Sequence, residues 1–155
     1  MARVVSINSS KNKDEIKLPV EKGLLLRDGG LAGDAHAGDG HRQLSLLAKE
    51  SIDEMRAVGI ENLNYGIFAE NITTQGIILH TLPVGTRLRI GRCIVEITQI
   101  GKQCHSGCEI FKKVGKCVMP TQGVFARVIE GGEFLLNDEI EVMGDEGKAL
   151  LDFRK

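Results

Sequence analysis

The chain has 155 residues, of which 20 are Lys or Arg and 21 are Asp or Glu, so its formal net charge is −1. No basic block breaks this balance, and aromatic residues make up only 4% of the chain. A phosphate-tracking surface or a base-stacking platform is therefore not expected, and nucleic acid is not a predicted partner. The length suits one domain. We expect a single domain over residues 1–155, with a core of about 3–142 and a polar tail, 144–155.

The sequence shows no membrane-spanning or targeting pattern. Its apolar stretches fall well short of the ~20 residues that a membrane span requires, and residues 1–20 lack the order of a signal peptide. We therefore expect a cytoplasmic protein without a membrane partner. In that reducing compartment the cysteines are expected to be thiols or ligands rather than structural disulfides. They are Cys93, Cys104, Cys108 and Cys117.

Short apolar runs, punctuated by 19 glycines, predict many short strands joined by turns. In chain order the predicted strands are Arg3–Asn8, Leu24–Leu26, Leu44–Leu47, Arg87–Ile90, Cys93–Thr98, Val124–Ile129 and Glu139–Val142. The second and third of these are short, leucine-rich and are expected to be buried runs.

Helical spacing is convincing in one place. Ile52 and Met55 predict a helix over Ala48–Val58, which Gly59 would end, and a weaker pattern lies around Glu109–Val114. Together the elements predict a mainly β protein, a small closed or partly open β-barrel with one or two short helices.

Glycines recur through residues 29–42, a segment that also contains His36, His41 and Arg42. Glycine lets the backbone approach a ligand closely, and exposed amides beside cationic side chains suit an anion. The spacing matches neither a dinucleotide fingerprint nor a P-loop. A flexible turn with solvated histidines accounts for the same residues equally well.

Glu70 and Asn71 lie inside an apolar run, residues 66–72. An unpaired buried carboxylate would cost several kcal/mol, so we expect these residues at a strand end or in specific hydrogen bonds. Arg127, between two apolar neighbours, raises the same question. A structural pair of Glu70 with Arg127 would answer both, and ligand contact is the alternative.

Cys104 is the predicted reactive thiol. A cysteine reacts as its thiolate, which nearby cations favour, and Lys102 and His105 are close in sequence while glycines flank the segment. Cys93, by contrast, shares a predicted strand face with aliphatic residues and is expected to belong to the core.

Metal binding is the competing interpretation of the same segment. Cys104, Cys108, Cys117 and His105 could supply four ligands to zinc or to an iron–sulfur cluster. Zinc sites usually have two residues between paired ligands, whereas the gaps here are three and eight. A structural metal module therefore stays open as an alternative.

The sequence contains, in this order, Gly33–Gly38 with His41–Leu47, Phe68–Ile72, Ile100–His105 and Gly123–Val128. Together these stretches resemble the MOSC domain, the family named for the C-terminal domain of molybdenum-cofactor sulfurase. The likeness covers roughly Arg3 to Val142.

The resemblance implies a β-barrel associated with the molybdenum cofactor or molybdenum. Family members are thought to carry sulfur as a persulfide on a cysteine whose position matches Cys104, and in distant reductases the matching cysteine is a molybdenum ligand. We expect further residues to serve this site. His36, His41 and Arg42 would hold the anionic part of the cofactor, Lys102 and His105 would favour the thiolate, and Glu70, Asn71 and Arg127 would line or brace the pocket.

The resemblance also implies partners. No pyridoxal-phosphate desulfurase domain is expected on this chain, so sulfur would come from a partner cysteine desulfurase. Molybdenum-cofactor biosynthesis proteins or molybdoenzymes would receive it. Cys108 and Cys117 lie outside the family pattern and would resolve the persulfide or bind metal. The alternative is a small molybdenum-dependent reductase component that needs an electron-donor partner, so whether the chain is an enzyme stays open.

Overall fold

The structure is a computed structural model, and it describes residues 2–11, 16–35, 37–38, 40, 43–57, 59, 63–101 and 122–143. The predicted second helix and the polar tail lie outside these residues. The elements within them are β1 (Ala2–Ser9), β2 (Leu18–Val20), β3 (Lys22–Leu26), β4 (Gly30–Leu31), β5 (Leu44–Ala48), α1 (Lys49–Ala57), β6 (Ile72–Gln75), a 3-10 turn (Leu79–Thr81), β7 (Arg87–Ile90), β8 (Cys93–Ile100), β9 (Val124–Glu130), β10 (Gly132–Leu135) and β11 (Glu139–Val142).

Seven of these strands form a closed barrel in the order β11, β7, β8, β9, β5, β6 and β1. The pairing of β1 with β11 closes it, with Ala2 opposite Ile140 and Arg3 opposite Glu139. The β5–β6 pair is parallel, and the other barrel pairs are antiparallel. Strand β2 extends the sheet beside the end of β1, where Ile7 lies opposite Val20. A separate three-stranded sheet joins β10, β3 and β4.

Aliphatic side chains fill the barrel interior because apolar residues alternate along its strands. On β8, for example, Cys93, Val95 and Ile97 are all fully buried. The three-stranded sheet contributes Leu25 and Phe134 to the same core. The predicted strand face of Cys93 is thus confirmed.

A second apolar cluster lies on the outer face of the barrel. Leu47 of β5 and Phe125 of β9 pack there against Ile52 and Met55 of α1 and against Phe68. Helix α1 spans nine residues of the predicted helix, and Gly59 has a positive φ of 98° while its N–H donates to the Arg56 carbonyl at 3.0 Å. This is the helix-ending geometry that glycine favours.

One predicted buried run is wrong. Of the three leucines in this run only Leu25 is buried, whereas Leu24 and Leu26 are 47% and 43% exposed. The strand belongs to the small sheet, whose other face is open, so its side chains alternate between core and surface.

We predict that Cys93→Ser lowers the free energy of unfolding by about 1 kcal/mol. Cys93 is buried, its Sγ donates to the Gly132 carbonyl at 3.3 Å, and burial raises the pKa of its thiol. A serine hydroxyl can donate to the same carbonyl. The expected loss of stability is therefore only that of replacing a buried sulfur atom with a more polar oxygen atom. Urea titration measures it, and an unchanged midpoint would contradict the core assignment.

Candidate functional site

The two ends of the glycine-rich segment meet at one residue of β9. The Asp28 N–H donates to the Val128 carbonyl at 2.9 Å, and the Val128 N–H donates to Gln43 Oε1 at 3.0 Å. Gln43 Nε2 also reaches Asp28 Oδ1 at 3.4 Å. These three contacts form what we call the neck, made by Asp28, Gln43 and Val128. The neck fixes where the segment leaves and rejoins the barrel.

Gly30 allows the backbone to pack closely at this neck. Its φ is 87°, and a Cβ atom there would lie 2.3 Å from the Gln43 carbonyl oxygen. Any other residue would therefore be strained and would collide with backbone. Close backbone packing therefore explains the glycine at position 30 without any role in ligand binding.

A buried ion pair anchors the same segment from the other side. Lys17 Nζ lies 2.8 Å from Asp34 Oδ1, and both side chains are fully buried. Ser10 joins the pair, because its backbone N–H donates to Asp34 Oδ1 at 3.0 Å and its hydroxyl accepts from Lys17 Nζ at 3.1 Å. Breaking a buried pair of this kind is strongly destabilising.

Glu70 is fully buried and bound by the protein itself. Its Oε2 accepts from the Gly66 N–H at 2.9 Å and from the Thr73 hydroxyl at 2.7 Å, and its Oε1 accepts from the Phe68 N–H at 3.3 Å. Burial nevertheless raises the pKa of the Glu70 carboxyl above its ordinary value, and the hydrogen bonds offset only part of that shift. The carboxyl closes the turn before β6, which holds Ala69 at a φ of 66°.

Asn71 joins the starts of two strands to the end of a third. Its Oδ1 accepts from the Ser45 N–H at 3.0 Å, and its Nδ2 donates to the Asn8 carbonyl at 3.2 Å. Asn8 also donates to the Thr73 hydroxyl at 3.1 Å. The expectation of specific hydrogen bonds beside a strand end is therefore confirmed for Glu70 and Asn71.

The suggested pair of Glu70 with Arg127 is wrong. Arg127 lies on the outer face of β9, directly across from Glu96 of β8. Its Nε and Nη2 both donate to Glu96 Oε1, at 3.2 and 3.1 Å, and its Nη1 lies 3.6 Å from Asp28 Oδ1. The strand register places Glu96 opposite Arg127, so Glu96 rather than Glu70 pairs with it. Arg127 thus lies beside the neck, close to Asp28.

Most predicted site residues lie outside the described residues, namely Cys104, His36, His41, Arg42, Lys102 and His105. Described residues lie at both ends of the segments that contain these six residues. Gly101, with a φ of 70°, donates its N–H to the Gly123 carbonyl at 2.7 Å. The chain thus leaves β8 and returns to β9 at adjacent points on either side of residues 102–122, and Gln43 directly follows Arg42.

The polar groups of the described part are mostly engaged in structural contacts. Within the ranges given above, no group of three or more His, Cys, Asp or Glu side chains is placed to hold a metal ion. No helix there is long and apolar enough to cross a membrane. The partly exposed guanidinium of Arg127 is a donor group that suits an oxyanion.

Sequence reasoning missed three polar residues that position this region. Lys17 stands in a polar stretch with no signal of burial, and Gln43 and Asp28 flank the glycine-rich segment without an obvious role. Asp34 was visible within the glycine-rich segment, where an aspartate is a common sign of a side chain that binds nearby backbone.

Comparisons with known proteins identify the fold. The family model for the MOSC domain matches residues 32–142. The YUAD protein from Bacillus subtilis is 17% identical, with 90% of this chain and 94% of that chain covered and a TM-score of 0.76. YiiM from Geobacillus stearothermophilus is also 17% identical, with coverages of 94% and 76% and a TM-score of 0.72. YiiM from Escherichia coli is 18% identical, with coverages of 93% and 70% and a TM-score of 0.69. No curated protein sequence matches significantly.

We predict that Glu70→Gln removes a pH dependence of stability. The folded-state pKa of Glu70 is raised by burial from an ordinary value of 4.5, so the folded protein binds this proton more tightly than the unfolded chain. Wild-type stability should therefore fall as pH rises from about 4.5. The free energy of unfolding should go on falling until the pH has passed the raised pKa of Glu70 in the folded protein.

Urea titrations at a series of pH values test this, with Glu133→Gln, an exposed residue, as the control. The slope should flatten in Glu70→Gln and persist in the control. Equal slopes in all three proteins would contradict a raised pKa at Glu70.

We predict that Lys17→Met lowers the free energy of unfolding by about 3–5 kcal/mol, because Asp34 stays buried without its cation. The double variant Lys17→Met with Asp34→Asn should recover much of the loss, since no charge remains. Thermal and urea unfolding of both variants measure the difference. A single variant as stable as wild type would show that the pair is not an anchor.

Proposed function

The chain belongs to the MOSC domain family, and we propose that it carries sulfur, as a persulfide on Cys104, in molybdenum-cofactor metabolism. The family places the chain in the molybdenum-cofactor context. The finer assignment, a sulfur carrier in the cytoplasm that is supplied by a partner, is our proposal.

The observation that carries the proposal is the contrast between Cys93 and the other cysteines. Cys93 is enclosed in the barrel interior, and burial raises the pKa of its thiol, so it is a poor thiolate and a poor sulfur acceptor. The other three all fall in residues 102–121, which join β8 to β9. Among them Cys104 has Lys102 and His105 within two residues, and cations favour a thiolate. Cys117 has a similar neighbour in Lys116, so the match of Cys104 to the functional cysteine of the family decides between them.

The proposed step exchanges one S–S bond for another. The Cys104 thiolate attacks the terminal sulfur of a persulfide on the donor, and a new S–S bond forms as the donor's S–S bond breaks. The donor leaves as a thiolate, so no oxidant or reductant is needed. A cysteine desulfurase with its own pyridoxal phosphate is the proposed donor, and a molybdenum-cofactor biosynthesis protein or a molybdoenzyme is the proposed recipient.

The cofactor, when bound, would supply a molybdenum centre as the destination of the sulfur. The described residues fit the anionic part of such a group, because the Arg127 side chain is 42% exposed and lies beside the neck. We assign the same anion-holding role to His36, His41 and Arg42. We propose that Lys102 and His105 stabilise the thiolate. Glu70 and Asn71 brace the region from within, because their polar atoms already bind protein groups.

We predict that Cys104 alone among the four cysteines accepts transferable sulfur. Incubation with a cysteine desulfurase and free cysteine should add one sulfur atom, which peptide mass spectrometry maps to Cys104. Cys104→Ser should abolish the adduct, whereas Cys93→Ser, Cys108→Ser and Cys117→Ser should keep it. Loss of a resolving thiol would lengthen the adduct's lifetime.

An adduct mainly on Cys108 or Cys117 would contradict the assignment. Elemental analysis of protein purified without added metal separates the remaining alternatives. Stoichiometric zinc or iron that is lost on Cys104→Ser would indicate a structural metal module instead. Molybdenum bound through Cys104 without any adduct would indicate the ligand role found in reductases.

A further inference from the structure

We infer that the C-terminal segment, residues 144–155, docks its apolar side chains on an apolar surface at one end of the barrel. We call this surface the rim, and four exposed aliphatic residues make it: Ile78, Val84, Ile100 and Val142. The segment lies outside the described residues, and its sequence contains Leu150, Leu151 and Phe153. Such docking is independent of the proposed sulfur transfer.

Two rim residues end barrel strands. Val142, the last residue of β11, lies opposite Leu88. Ile100, the last residue of β8, lies opposite Val124. Leu88 and Val124 belong to the core of the barrel, and residues that face each other in an antiparallel pair point to the same side of the sheet. The side chains of Val142 and Ile100 therefore continue the interior face at the mouth of the barrel, yet they are 43% and 39% exposed.

The connection from β6 to β7 crosses the same mouth. Leu79, in its 3-10 turn, is fully buried in the core, whereas Ile78 and Val84 are 63% and 59% exposed. The Gly85 N–H donates to the Ile97 carbonyl of β8 at 2.8 Å, which holds the connection against the barrel. The mouth is thus closed by one buried leucine, with apolar side chains left on its outer side.

An apolar surface that continues a core is a contact site. Aliphatic side chains that are exposed singly need no explanation, but neighbouring ones form a patch that usually binds something. At this end Ala2, Ile77 and Leu82 are also only partly buried against the core. The rim therefore calls for an occupant of apolar character.

The chain enters residues 144–155 directly at the rim. Met143, which follows Val142, donates its N–H to the Arg87 carbonyl at 2.9 Å, so strand pairing fixes the point of departure. Residues 144–149 can span about 20 Å, several times the ~4.8 Å between adjacent strands. A segment tethered this closely has an effective concentration in the millimolar range. A modest apolar contact is then sufficient, whereas a separate protein or a second copy lacks this advantage.

The sequence of the segment suits the rim. Three acidic and three basic residues in 144–155 cancel, so the segment has no net charge and no general repulsion from the barrel. Phe153 follows Leu150 by three residues and Leu151 by two. It therefore shares a face with Leu150 in a helix and with Leu151 in a strand. In either conformation the segment can present an aromatic and an aliphatic side chain together.

Phe153→Trp in the full chain gives a direct reporter, because the natural sequence contains no tryptophan. We predict that its fluorescence emission lies at shorter wavelength than that of a synthetic peptide of residues 144–155 with the same change. Acrylamide should also quench it several-fold less, because apolar contact shields the indole from water and from the quencher. Emission and quenching equal to those of the free peptide would overturn the inference.

Val84→Asp and Leu24→Asp form a matched pair of second substitutions. Both positions are exposed aliphatic residues, so both variants should fold, which circular dichroism verifies, but Leu24 lies on the three-stranded sheet. In the Phe153→Trp background, Val84→Asp should move emission and quenching to the values of the free peptide, and Leu24→Asp should leave them unchanged. Release by Leu24→Asp rather than by Val84→Asp would overturn the rim as the docking surface.

Dilution separates docking within one chain from contact between two copies. Docking within one chain leaves the emission independent of protein concentration. A shift to shorter wavelength that disappears on dilution would instead assign the rim to a second copy and overturn the inference. No sulfur donor or cofactor is present in these measurements, so their outcome is separate from that of the sulfur adduct on Cys104.

Discussion

The pairing of the first barrel strand with the last one governs the rest of the molecule. Beyond the register of Ala2 with Ile140, the Val4 N–H donates to the Asp138 carbonyl at 2.9 Å and the Val4 carbonyl accepts from the Asn137 N–H at 2.8 Å. Closure removes the open edges of the seven strands and leaves an interior filled by aliphatic side chains. Within the part of the chain that the structure describes, the interior is therefore core, and polar groups that could meet a ligand lie on the outer face and at the ends of the connecting segments.

Connecting segments carry function well only when their ends are fixed, and the described residues fix them in two ways. Buried polar groups tie one end of the barrel together, through the Lys17–Asp34 pair and the carboxyl of Glu70. Backbone contacts to β9 hold the segments themselves, at Val128 for the glycine-rich one and at Gly123 for the one with Cys104. Burying these polar groups costs free energy, and the same groups fix the positions at which the connecting segments leave and rejoin the barrel.

Periodicity in the sequence predicted the barrel class, the helix and the interior face of β8, because burial on one side is a local pattern. It could not predict partners that depend on register. Glu70 was rightly expected to need hydrogen bonds, but they come from backbone N–H groups and a hydroxyl within four residues rather than from Arg127. Arg127 meets Glu96 only because β8 and β9 pair with that register across a bulge. Lys17 gave no signal, since a lysine in a polar stretch is usually solvated.

The position of Arg127 on β9 connects the two candidate segments. Gly123, which directly precedes this strand, and Val128 are five residues apart, about 17 Å at the usual rise per residue. Arg127 adjoins the neck at Val128, whereas the segment with Cys104 rejoins the barrel near Gly123. A ligand held both at the neck and near Gly123 would extend along β9, with its anionic end and its sulfur-bearing end apart. Variants at Arg127 and at Cys104 should then affect binding and sulfur acceptance independently.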